Sequence, residues 1–155
     1  MDLIDTPVTG NEPHGDTRDA GQALSLFYAA LNAKDMAGMQ RCWSAADDCS
    51  MDNPLGGIAR GWSDIQAVYA RLFGSAASYR FSFHDYSFHA FSDTFLVVGR
   101  ERGWFEKDGQ RLELAFRTSR LFRLEAGAWH QFHHHGSAED ARMLAAYQAL
   151  VLGKA

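Results

Sequence analysis

The sequence predicts an α+β protein in which N-terminal helices pack on one face of a curved antiparallel sheet. Three observations carry this reading. Apolar residues recur at three–four spacing up to Phe73, and from Tyr79 onward they alternate at a spacing of two. The alternating runs are joined by short turns at Asp108-Gly109 and Ala126-Gly127.

A disordered leader is expected over 1–16, where Pro7, Gly10, Pro13 and Gly15 interrupt an acidic stretch. A single domain with a C-terminal helix is expected over 17–152, because 155 residues suffice for one core. Asp16 or Thr17 is placed to cap the first helix, with Asp19 in its first turn and Ala20, Ala23, Leu24, Phe27, Tyr28 and Leu31 on its apolar stripe. Asp35 opens a shorter helix that turns Met36, Met39 and Trp43 inward. Cys49 to Asn53 reads as a short strand closed by the turn Pro54-Leu55-Gly56-Gly57. Ser63 and Gln66 form a capping box for a third helix with Ile65, Val68, Tyr69, Leu72 and Phe73 inward and Gly74 at its end. Strands then follow from Tyr79, over Thr94–Glu106, over Arg111–Leu124 and through Trp129–His135. A capping box at Ser137 and Asp140 opens the terminal helix, whose apolar face is Met143, Leu144, Tyr147, Leu150 and Val151.

Composition narrows the function classes. The net charge of −4 comes with no basic stripe, which argues against nucleic acid as a partner. No signal peptide and no apolar run long enough to span a bilayer is legible, so a cytoplasmic protein without a membrane partner is expected. Cys42 and Cys49 are too few for a disulfide framework and read as free thiols.

The clearest site signal lies in the strand Arg111–Leu124. Its alternation buries Leu112, Leu114, Phe116, Thr118, Phe122 and Leu124, and puts Arg120 among them. A buried guanidinium needs a partner. One reading is an internal ion pair with Asp52, Glu101 or a helix carboxylate; the other is a pocket where Arg120 meets a ligand carboxylate, enolate or phosphate. Periodicity does not decide which face of Thr94–Glu106 points inward, since Leu96, Val98, Arg100, Arg102 and Trp104 compete with Phe95, Val97, Gly99, Glu101, Gly103 and Phe105.

The closing strand Trp129-His130-Gln131-Phe132-His133-His134-His135 concentrates imidazoles that could titrate, ligate a metal or move protons. Alternation puts Trp129, Gln131, His133 and His135 on one face. His133 and His135 with His84 or His89 fall short of a zinc motif, so neither a metal nor another cofactor is expected. No serine elbow, phosphate loop or dinucleotide fingerprint is present.

The order of these elements, with Asn53-Pro54-Leu55-Gly56-Gly57 and the closing Trp129…His133-His134-His135-Gly136-Ser137, resembles the nuclear-transport-factor-2-like superfamily over Thr17 to Ser137. That resemblance implies a cystatin-like cone of the kind found in SnoaL-like cyclases, ketosteroid isomerases and scytalone dehydratases. Phe27 to Asp35 and Asp52-Asn53-Pro54 look like ketosteroid isomerase segments, yet the general-base aspartate falls on Asn53. The oxyanion-hole tyrosine falls on Phe27 with Tyr28 beside it, and the second oxyanion-hole residue falls near Arg120, so steroid isomerisation is not implied. Ser119-Arg120-Leu121-Phe122 and the closing strand look like the calcium/calmodulin-dependent kinase II association domain, in which Arg120, His133 and His135 have counterparts.

Together these readings imply a central pocket for a small anionic or carbonyl-bearing ligand, with an isomerase, cyclase or dehydratase as the reaction class. Arg120, Tyr28, His133, His135 and Trp104 are the expected ligand-binding residues, and His133, His84 and Asp52 the catalytic candidates. A homodimer is expected. The alternative is a non-catalytic binding or oligomerisation module.

Overall fold

A computed structural model describes residues 2–13 and 18–153. The elements run α1 (Ala20–Ala33), α2 (Met36–Cys42), β1 (Ser50–Asp52), β2 (Ala59–Arg60), α3 (Gly61–Phe73), β3 (Ser78–Ala90), β4 (Thr94–Lys107), β5 (Gln110–Glu125), β6 (Ala128–Ala138) and α4 (Ala141–Leu152). The strands form one six-stranded sheet in the order β2-β1-β6-β5-β4-β3. It is mixed rather than wholly antiparallel, because β1 runs parallel to β6.

The helices cover one face of this sheet, and the core lies between them. From the sheet, Phe83, Phe95, Phe105, Phe116 and Phe122 are almost fully buried; from the helices come Leu24, Phe27, Tyr28, Met39 and Ile65. Aromatic residues stack across strands, as at Phe95 and Phe122, whose ring centroids are 4.5 Å apart. The β4–β5 hairpin turns on Asp108 and Gly109, both at positive φ (53° and 75°), the geometry that an Asp-Gly pair adopts readily.

Inward alternation along β5 holds from Leu114 to Phe122 and lapses at Leu124, which is exposed. On β4 the odd-numbered face is inward throughout, with Phe95, Val97, Glu101 and Phe105 buried. On β6 the alternation breaks. Leu121 pairs with His133 but Phe122 pairs with Gln131, so Phe132 is an extra residue in a β-bulge. Gln131 and His134, three positions apart, are therefore both buried.

Helix starts differ from expectation. The proposed caps Asp16 and Thr17 lie outside the described residues; Asp19 is the N-cap of α1 and accepts from the Gly21 amide. α3 begins at Gly61 behind Arg60, directly from β2, which leaves Ser63 and Gln66 inside the helix. α4 is capped by Asp140, which accepts from the Met143 amide at 2.8 Å, while Ser137 still belongs to β6.

The expected disorder of the leader does not hold for residues 2–13. Ile4 and Val8 pair with Tyr86 and Phe83 on the free edge of β3. Gly10 sits at φ +82° against α1, where a Cβ would come within 2.4 Å of the Ala29 nitrogen. Glu12 secures the segment by accepting from the Thr9 and Gly10 amides and from the Ser25 hydroxyl at 2.6 Å. An otherwise bare sheet edge is thereby covered.

Candidate functional site

Arg120 lies on the inward face of β5, 1% exposed, with its guanidinium 4.0 Å from the centroid of the Phe27 ring. Its Nη2 donates to Glu101 Oε2 at 2.7 Å, and its Nη1 to Gln131 Oε1 at 3.0 Å. Tyr28, from α1, donates its hydroxyl to the same Glu101 oxygen at 2.8 Å. Burial pushes the Tyr28 hydroxyl well above its usual pKa, so it stays a donor. The ion-pair reading of Arg120 thus holds, with Glu101 as partner. Breaking such a pair from one side costs about 3–5 kcal/mol, which explains why both groups persist inside an aromatic core.

A cavity adjoins this ion pair. It has a volume of about 440 Å³ and opens between helices and sheet, and Glu101, Arg120 and His134 line it together with Phe27, Val68, Tyr69, Leu72, Phe105 and Tyr147. That volume is in the usual range for small-molecule sites. The walls are mainly apolar, and the buried polar side chains among them are Glu101, Arg120 and His134. Both donors to Glu101 bond to Oε2; Oε1 accepts no hydrogen bond among the described residues.

His134 is the other polar wall. Burial, reinforced by Arg120, His133 and His135, holds its pKa well below the usual 6.5, so the imidazole is neutral at pH 7. Neither of its ring nitrogens has a partner among the described residues, and Arg120 Nε and Gln131 Nε2 are likewise buried without one.

Several expected site residues lie elsewhere. His133 and His135 belong to the face opposite His134, because the Phe132 bulge reverses the alternation. His133 Nδ1 meets the Ser50 hydroxyl at 2.8 Å, and His135 Nδ1 lies 3.4 Å from Asp52 Oδ2. Asp52 alternates with buried Met51 and so shares that outer face, while Asn53 reaches the cavity. His84 bonds to Ser82 on the outer side of β3. Trp104, on the even face of β4, stacks under the Arg111 guanidinium at 4.2 Å and does not reach the cavity. Tyr28 stands behind Glu101 and orients it. No group of three or more metal-ligating side chains occurs among the described residues.

Glu101 and His134 line the cavity without being legible as site residues in the sequence. A carboxylate in the Phe95–Phe105 face carries the same signal as Arg120 does on β5. That signal was masked because Leu96, Val98 and Trp104 made the other face look equally apolar.

A family profile described as a SnoaL-like domain matches residues 21–141. No curated protein matches the chain. Among solved structures, a protein from Streptomyces avermitilis provisionally described as a dehydratase of the NTF2-like family superposes with a TM-score of 0.72 at 22% identity. The match covers 81% of this chain and 97% of that one. A protein from Thiobacillus denitrificans provisionally described as a calcium/calmodulin-dependent protein kinase type II association domain gives 0.66 at 21% identity, over 83% of this chain and 100% of that one. An uncharacterised cystatin-like-fold protein from Caulobacter vibrioides gives 0.64 at 20% identity, over 90% and 99%. At these identities the likeness is one of fold.

Proposed function

The chain belongs to the SnoaL-like domain family of the NTF2-like superfamily, and from that premise we propose that it is a small-molecule enzyme moving a proton on carbon beside a carbonyl group. That step opens isomerisations, ring closures and dehydrations alike. The observation that carries the proposal is Glu101: one oxygen held by Tyr28 and Arg120, the other without a protein partner, at the deep end of an apolar cavity. A fixed carboxylate in such a place is suited to act as a general base.

In this reading the substrate's carbon-bound proton passes to Glu101 Oε1, and the electron pair moves into the carbonyl oxygen. The Arg120 guanidinium and the neutral His134 ring, which both line the cavity, supply the polar surroundings that favour that developing oxyanion. Tyr28 and Gln131 are positioning residues, acting through Glu101 and Arg120. Because Glu101 already balances the charge of Arg120, a neutral carbonyl suits the deep end better than a carboxylate does.

The test is deuterium exchange into cyclohexanone in D2O, followed by NMR. Wild-type protein is expected to speed exchange over buffer, and Glu101→Gln, shown to be folded by circular dichroism, to lose at least about a hundredfold of the gain. No acceleration by the wild type would sink the proposal. The second reading is a binding and self-association module. It is favoured by the likeness to two structures described as kinase association domains, from Thiobacillus denitrificans and Xanthomonas campestris.

A further inference from the structure

Resting on the pocket reading above, we infer that the ligand is an amphiphile, with an apolar body between Glu101 and an anionic group held at the cavity mouth by Arg71 and Lys107. Both cations line the same cavity as Arg120. Their surroundings identify the mouth: Arg71 and Leu152 are exposed and Lys107 is half-buried, whereas Arg120 at the other end is 1% exposed.

Glu101 is the only acidic side chain lining the cavity among the described residues, and Arg120 already engages it. No carboxylate pairs with Arg71 or Lys107 among those residues, although the chain carries a net charge of −4. Each cation also serves a helix end. Arg71 lies in the last turn of α3, and Lys107 Nζ donates to the Leu150 carbonyl of α4 at 3.2 Å. A carbonyl accepts a hydrogen bond without cancelling a charge, so two positive charges from different elements still converge on one opening. Between the two ends the walls are Phe105, Val68, Leu72 and Val151, which suit hydrocarbon. The chemistry that fits is an anionic head group such as a carboxylate.

Calorimetric titration with octanoate and with 1-octanol separates the parts of this inference. The wild type is expected to bind octanoate roughly fivefold more tightly than 1-octanol at low ionic strength, with the preference shrinking as salt is added. The double variant Arg71→Glu, Lys107→Met is expected to abolish the preference and leave 1-octanol affinity unchanged. Equal binding by the wild type would overturn the inference. So would a preference that survives the double variant, because the carboxylate would then sit at Arg120. If neither compound binds, or if Val68→Trp leaves both affinities unaltered, the pocket reading fails and the inference fails with it. Both compounds binding in the cavity without discrimination removes the mouth alone.

Discussion

At the scale of single residues, the environment of one histidine sets a pH dependence. His134 is neutral in the fold because burial and the neighbouring Arg120, His133 and His135 disfavour its charge. Its folded pKa lies well below 6.5, so as pH falls below about 6.5 the unfolded chain takes up a proton that the folded chain does not. Stability from this group is complete above that pH and declines below it, by up to about 1.4 kcal/mol per pH unit. His84, also shifted down by burial, acts in the same direction in both wild type and variant. Urea midpoints measured at pH 7 and pH 5.5 should therefore differ more in wild type than in His134→Leu. Equal differences in the two proteins would show that the imidazole is not held neutral. This residue was invisible as a site residue in the sequence, because nothing in Gln131-Phe132-His133 announces a bulge. Without the bulge, strand alternation assigns His133 and His135 to the pocket, and one extra residue exchanges the faces.

Among the elements, the N-terminal segment depends on one carboxylate. Burial pushes the Glu12 pKa up, but hydrogen bonds from Ser25 and Thr9 outweigh it and bring the value down from 4.5 to about 2. The stabilisation is present above pH ~4.5 and is lost as pH falls towards about 2, because the folded value is the depressed one. Glu12→Gln should reduce the hydrogen-exchange protection of the Val8 and Phe83 amides, and lowering the pH of the wild type to 3 should partly do the same. Unchanged protection in the variant would mean that β3 pairing alone holds the segment. Proline, glycine and acidic residues made this stretch look like a disordered leader. Composition misleads here because Gly10 and Glu12 act through contacts with α1, and those contacts are long-range.

For the whole molecule, one face of the sheet is covered by helices and the other is open. The open face carries Arg100, Arg102 and Asp85 in ion pairs, beside exposed Val98. The association reading proposed above requires a second copy of the chain. Light scattering at micromolar concentration is expected to give twice the 17.3 kDa chain mass, and a monomer would remove the association reading. No helix among the described residues is long and apolar enough to cross a membrane.

Local chemistry determined the fold class, the hairpin at Asp108-Gly109 and the burial of Arg120, because three–four and two-residue periodicities are properties of neighbouring residues. A charge on an apolar strand face also had to be answered somewhere, and the sequence alone named Glu101 among the possible partners. The tertiary structure decided which partner it is, since Glu101 and Arg120 come together only when β4 and β5 are in register and the odd face of β4 looks inward. It also decided that a cavity adjoins the pair and that His134 is the imidazole beside it. Cavity volume and bulge position arise from how sheet and helices splay, and no single segment encodes that.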